Sequence, residues 1–149
     1  MPKQSRSAAK AAAAGPPKPI KTLAQPRHFS HFVMNLPATA ITFLPSFIGL
    51  YSQEMPPETP PVDMQNLPLP MIHVYAFSTK SDDNVTESEE LCKEVMHQLE
   101  MPEDGDEKIA PGVGETTVWD VRDVAPKKRM FCVSFRLPRS VAIRENKAS

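Results

Sequence analysis

His31-Phe32-Val33-Met34-Asn35-Leu36-Pro37 is a short apolar run closed by an amide, a leucine and a proline, and Ala38-Thr39-Ala40 follow it with the small residues of a helix start. An apolar run of this length before a turn reads as a fully buried parallel strand better than as a solvent-facing one. Pro37 then suits an early helix position, where its missing N–H is not needed. In doubly wound α/β sheets the crevice beyond the carboxyl end of a strand is where ligands bind. A polar amide locked by a proline at that place can hydrogen-bond a flat base or a cofactor, which makes Asn35 the first candidate site residue. The competing role for its side chain is to cap the helix that follows.

Downstream, Ile41, Leu44, Phe47 and Ile48 give a helical apolar face that stops near Gly49. Pro45 interrupts it, at a cost of about 3 kcal/mol in a helix interior, so a kink or restart is expected. The stretch 51–70 holds six prolines, at 56, 57, 60, 61, 68 and 70, and has no apolar periodicity, the mark of a surface loop. Met71 to Phe77 is a second buried strand. Thr86-x-x-Glu89 is a capping box opening a helix whose Leu91, Cys92, Val95 and Leu99 share one face, and Pro102 ends it. After a loop over 103–115 come a strand near Thr116 to Val124, a turn at Ala125 to Lys128, and a strand from Arg129 to Leu137. The alternation of Phe131, Val133, Phe135 and Leu137 marks that last strand. Alternating strands and helices argue for an α/β fold with a parallel sheet, and the short final turn makes the last strand antiparallel. Only half of a cofactor-binding domain is visible in this order. The glycine-rich first turn where a nucleotide sits has one candidate, Gly112-Val113-Gly114, which precedes a strand instead of following one and reads as ordinary loop glycine.

Composition agrees with a single domain and a moderate core in 149 residues, while 17 prolines against 5 glycines point to long irregular stretches. The formal net charge of −1 conceals segregation: residues 1–53 hold six Lys/Arg and no acid, 54–118 three bases and fifteen acids, 119–149 eight bases and three acids. Basic ends around an acidic middle suit a polyanion meeting one face, and equally suit acidic loops and basic tails with no such partner. Cys92 and Cys132 are too few for a disulfide scaffold and read as buried thiols. His28-x-x-His31 has no paired cysteine, so no metal site is expected. No apolar run approaches the ~20 residues needed to cross a bilayer, and the chain reads as soluble and intracellular. Residues 1–27, with Ala11 to Ala14, Gly15-Pro16-Pro17 and Lys18-Pro19, have too little apolar content to order. They read as a disordered, basic, low-complexity segment, with 28–144 as the folded part and 145–149 as a tail.

Four blocks carry a family resemblance: His31-Phe-Val-Met-Asn-Leu-Pro-Ala38, Ile72-His-Val-Tyr-Ala-Phe-Ser-Thr79, Val121-Arg-Asp-Val-Ala-Pro126 and Met130-Phe-Cys-Val-Ser-Phe-Arg-Leu-Pro138. From about His28 to Arg144 the chain resembles the carboxyl-terminal portion of the methyltransferases that act on N1 of guanine at tRNA position 37. The wybutosine-forming aminocarboxypropyl transferases are relatives on the same scaffold, but the second pair of blocks is closer to the methyltransferases. The resemblance implies the carboxyl-terminal half of a class I, Rossmann-like fold using S-adenosyl-L-methionine, with tRNA as partner and work in the mitochondrion and the nucleus or cytoplasm. It places Asn35 in the pocket shared by cofactor and guanine, with Leu36 and Pro37 shaping the wall, so that Asn35 and Pro37 are the expected catalytic residues and Asn35 and Leu36 the expected cofactor contacts.

Guanine N1 carries a proton at neutral pH, so methylation needs a group to take it and donors to hold charge developing on O6. Asn35 can orient the base or cofactor, but an amide is a poor base. The family's acidic proton acceptor and assisting arginine lie upstream of the Asn-Leu-Pro turn, where this chain has no matching positions. It is therefore expected to be inactive and to bind cofactor poorly alone, and to be a gene-model fragment or the product of a split gene whose remaining amino-terminal portion is its partner. A noncatalytic remnant that binds RNA or a partner through its basic end is the other reading. Lys127, Lys128 and Arg129 are candidates for tRNA phosphates on a hairpin tip that in other proteins is simply solvated. If the strand near Thr116 runs parallel to the one ending at Met34, that tip shares a sheet edge with Asn35. Ser78 to Ser81 follow a strand on the same edge, as substrate contacts or as a helix-entry loop. Tyr75 and Trp119 are expected to be packing residues rather than stacking platforms, and His73 a hydrogen-bonded structural histidine.

Overall fold

A computed structural model describes residues 15–18, 20–23, 28–52, 66, 68–78, 83–126 and 128–144. The expected disorder of 1–14 and 24–27, most of the proline-rich loop (53–65), the 79–82 segment and the 145–149 tail lie outside the described residues. Four strands, β1 (His31–Met34), β2 (Met71–Ser78), β3 (Thr117–Ala125) and β4 (Lys128–Arg136), form one sheet in the order β1-β2-β4-β3. β1 pairs parallel with β2, and β4 pairs antiparallel with both β2 and β3. β1, β2 and β3 therefore point one way, and the last strand is inserted between two of them in the opposite sense.

Period-two alternation decides which face of the sheet is buried. Ile72, Val74 and Ala76 of β2 meet Phe135, Val133 and Phe131 of β4 as register partners, and all six belong to the core. A 3₁₀ helix (Ala40–Phe47) and α1 (Asn84–Gln98) cover this face with Ala40, Leu44 and Phe47 and with Leu91, Cys92, Val95 and Met96. The short α2 (Arg139–Ala142) receives the turn after the 3₁₀ helix: Gly49 N–H donates to Val141 O at 2.8 Å and Tyr51 N–H to Ala142 O at 2.8 Å. Gly49 makes this turn at φ 72°, a conformation that favours glycine. Cys92 and Cys132 are buried free thiols, and burial pushes the Cys92 thiol up to about 11.

Three expectations are corrected. β1 is not fully buried: Phe32 and Met34 pack toward the core, but His31 is exposed and Val33 is 67% exposed. The strand sits at the sheet edge, and among the described residues the helices lie on one face only. The apolar run 41–48 forms a 3₁₀ helix through Pro45 instead of a kinked α-helix. Its apolar residues Ile41, Leu44 and Phe47 recur every third position, and a turn of three residues aligns them on one line.

The third correction concerns the helix entry. Thr86 does not cap α1, which starts earlier, with Asp83 as N-cap. The Asp83 carboxylate accepts from Val85 N–H at 3.0 Å and from the Thr86 hydroxyl at 2.6 Å, satisfying donors that a helix start leaves orphaned. The Thr86 hydroxyl bond, then the backbone bonds from Thr86 and Val85, hold its carboxyl below the usual range. A lowered folded-state pKa contributes stability above the unfolded value that is lost as pH falls through the folded one. Asp83→Ala is accordingly expected to lower the melting temperature at neutral pH, with the gap to the parent chain closing as the pH falls below about 4, measured by circular dichroism.

Candidate functional site

Asn35 follows directly on the carboxyl end of β1. The chain turns there because Leu36 O accepts from both Thr39 N–H (2.9 Å) and Ala40 N–H (2.7 Å), a tight entry to the 3₁₀ helix that Pro37 favours by fixing its own φ. Asn35 is exposed, Leu36 is 64% exposed and Pro37 is half-buried. The N-cap of the 3₁₀ helix is Thr39, with no side-chain cap bond, and the Asn35 amide has no hydrogen-bond partner among the described residues. The capping role is thus not taken. Asn35 presents two N–H donors and a carbonyl acceptor beside an exposed leucine, a donor set that fits the polar edge of a base or the amino-acid end of a cofactor and an apolar part next to it.

β3 runs in the same direction as β1, so the β3–β4 tip does lie at the sheet edge that carries Asn35. The tip is not in one pocket with it. Met34 is level with Val74, whereas Arg129 is level with Ser78 and lies two strands across. At about 3.3 Å per residue and about 4.8 Å between strands, the separation is roughly 15 Å. Lys127 lies outside the described residues. Lys128 sets its ammonium 4.2 Å from the centre of the Phe77 ring, a cation–π contact. Arg129 bonds Asp123 Oδ1 at 3.0 Å and donates to Asn84 Oδ1, while Asn84 Nδ2 donates to Asp120 Oδ2 at 3.1 Å. This network ties the hairpin to the first residue of α1, and both described cations are engaged within the chain. Of the Ser78–Ser81 stretch, only Ser78 is described, as the last residue of β2.

The sheet face away from the helices carries a chain of polar groups. His31 Nδ1 lies 3.0 Å from His73 Nε2, with the rings stacked at 5.3 Å and 18°, and His73 Nδ1 lies 2.7 Å from Ser134 Oγ. His73 is the hydrogen-bonded histidine that its strand position suggests. The sequence gives no sign of the His31–His73 pair, because only the β1–β2 register places His31 diagonally beside His73. Tyr75 is half-buried on this face, but Trp119 is 65% exposed, a correction to its reading as a packing residue. It lies on β3, which among the described residues has a neighbour strand on one side only. Gly112 and Gly114 sit in the loop before β3 at φ 76° and 57°. A cleft of about 660 Å³ opens between α1 and the 103–111 segment, lined by Ser88, Glu89, Cys92, Lys93 and Lys108 among others and by none of Asn35 to Pro37. Among the described residues no three His, Cys, Asp or Glu side chains converge as a metal site, and no helix is long and apolar enough to cross a membrane.

Over 136 residues the chain is 55% identical to the tRNA (guanine(37)-N(1))-methyltransferase of Phaeosphaeria nodorum, a match covering 87% of this chain and 29% of the relative. The chain is homologous to a portion of this methyltransferase. The enzymes of the same name from Fusarium vanettenii (46% over 131 residues, 87% of this chain, 26% of the relative) and Emericella nidulans (40% over 131 residues, 85% and 27%) agree. The chain thus spans less than three-tenths of the length of these methyltransferases. No family model and no solved structure matches it. The mixed α/β sheet, parallel at β1–β2 and antiparallel around β4, is consistent with a piece of a methyltransferase.

Proposed function

We propose that this chain forms the carboxyl-terminal part of the catalytic domain of a methyltransferase that modifies N1 of guanosine at tRNA position 37. The observation that carries the reading is the Asn35 amide, which bonds no described residue, at the carboxyl end of a parallel strand, in a chain 55% identical over 136 residues to part of an enzyme of that name. S-adenosyl-L-methionine supplies an electrophilic methyl group when bound. Asn35 would orient the base or the cofactor through its donors and acceptor, with Leu36 and Pro37 forming an apolar wall. An amide cannot take the N1 proton at neutral pH, so the base must come from elsewhere.

A further portion, such as the one the longer relatives carry, would supply that base. Two features support this. The backbone of β1 has a partner strand on one side only, and the face bearing Val33, Tyr75 and Trp119 is not covered by a helix among the described residues. Parallel sheets are ordinarily covered on both faces, so the sheet order supports a Rossmann-like domain continued by other strands and helices. The remnant reading, RNA binding through the basic end, has less support, since Lys128 and Arg129 are engaged within the chain.

Exchanging residues 28–144 into the corresponding region of the Phaeosphaeria nodorum enzyme tests the proposal. Methylation of guanosine 37 by the exchanged enzyme, within about tenfold of the parent's kcat/KM, is the expected result. A folded exchange enzyme that binds tRNA but transfers no methyl group would overturn it.

A further inference from the structure

We propose that His31 and His73 are positioning residues that clamp the Asn35-bearing strand to the sheet, and that the clamp opens when the pair takes up a second proton. The functional consequence rests on Asn35 being a site residue; the clamp itself does not. β1 is four residues long and, among the described residues, pairs on one side only, so little backbone of this chain holds it. The His31–His73–Ser134 chain crosses β1, β2 and β4 in two hydrogen bonds of 3.0 and 2.7 Å, fastening the edge strand to the middle of the sheet.

The proton count follows from the geometry. In the neutral pair, His31 Nδ1–H donates to His73 Nε2 and His73 Nδ1–H donates to Ser134 Oγ. The opposite tautomers reverse both bonds, with the Ser134 hydroxyl donating to His73 Nδ1. One added proton is also accommodated, because a single imidazolium still faces a neutral acceptor. Two are not. With both rings protonated, two N–H groups face each other across 3.0 Å without an acceptor, between like charges on stacked rings.

Among the described residues, the neighbours on this face bring no unpaired carboxylate that would offset this repulsion. Tyr75 of β2 and Cys132 and Arg136 of β4 share the face, and Arg136 is held at 2.8 Å by each oxygen of Glu115 from the loop before β3. Opposite His73 and Ser134 stand the uncharged Val33 of β1 and Thr117 of β3. Burial and then the charge of His31 hold His73 below the usual histidine range. A histidine with a lowered folded-state pKa contributes stability above its unfolded value that is lost as the pH falls. The clamp is therefore closed at neutral pH and opens only as the pH falls below the ordinary histidine range and the second proton is taken up. Release of β1 frees the turn at 35–37 and removes Asn35 from a fixed position.

Hydrogen–deuterium exchange of the full 149-residue chain, corrected for intrinsic rates, reads the clamp directly. Protection of the 31–36 peptide should fall at least about tenfold between about pH 7.5 and pH 5, while the 130–136 peptide keeps its protection. His31→Gln, which cannot take up the second proton, should abolish that pH dependence. Constant protection of 31–36 in the parent chain, or an unchanged pH dependence in His31→Gln, would overturn the proposal. Should His31→Gln fail to fold, the imidazole Cε1–H resonances of the parent decide: two separated titration steps support a coupled pair, and one shared step near the ordinary histidine value overturns it. Asn35→Ala should leave the exchange profile intact, so a failure of the clamp and a failure of the Asn35 reading are told apart.

Discussion

Phe135→Ala is expected to cost about 3–5 kcal/mol, a large share of a net stability of about 5–15 kcal/mol. Phe135 is fully buried on the core face of β4, opposite Ile72 of β2. β4 is the only strand of the sheet with antiparallel partners on both sides, and the β2·β4 and β3·β4 pairings hold the sheet together. A cavity there cannot be closed by moving one strand without disturbing both ladders, so little relaxation offsets the lost packing. Urea denaturation followed by far-ultraviolet circular dichroism measures the change. Val33→Ala supplies the contrast: this side chain is 67% exposed, and its loss should shift stability by less than about 0.5 kcal/mol. A large effect at Val33 would mean that the outer face of β1 is covered in solution.

Much of this fold was legible because it is local. The alternation of Phe131, Val133 and Phe135 named β4 and its buried face, and the short connection after Ala125 gave the hairpin. What escaped is decided by competition or by distance in sequence. Thr86-x-x-Glu89 satisfies a capping pattern, yet Asp83, three residues earlier, offers a carboxylate to the same first turn, and a charged acceptor wins. Pro45 is costly in an α-helix interior, while the spacing of Ile41, Leu44 and Phe47 fits a turn of three as well as one of 3.6. The exposure of Val33 and Trp119 depends on which strands stand at the edges, and no periodicity within one strand reports that. The same holds for the candidate site. Asn35 was visible from its own neighbours, but the His31–His73–Ser134 chain joins residues 42 and 61 positions apart, and only the sheet register brings them together.

In the exchanged enzyme, Asn35→Ala is expected to lower kcat/KM for guanosine 37 methylation by about 10²–10³-fold, the usual consequence of removing one preorganised donor from a reacting centre. The side chain is exposed and bonds no described residue, so its removal leaves no buried group unsatisfied and should move the melting temperature little. That asymmetry makes the experiment informative: activity falls while stability stays, the reverse of Phe135→Ala. Asn35→Asp separates the roles of the amide. It keeps the shape and the acceptor but loses both N–H donors and adds charge, so a donor function predicts a loss as large as that of alanine, whereas an acceptor function predicts substantial rescue. Single-turnover kinetics at saturating cofactor, compared with cofactor affinity by calorimetry, assigns the loss to the base or to the cofactor. Wild-type kcat/KM in Asn35→Ala would remove this residue from the site and leave the turn at 35–37 with a purely structural part in the fold.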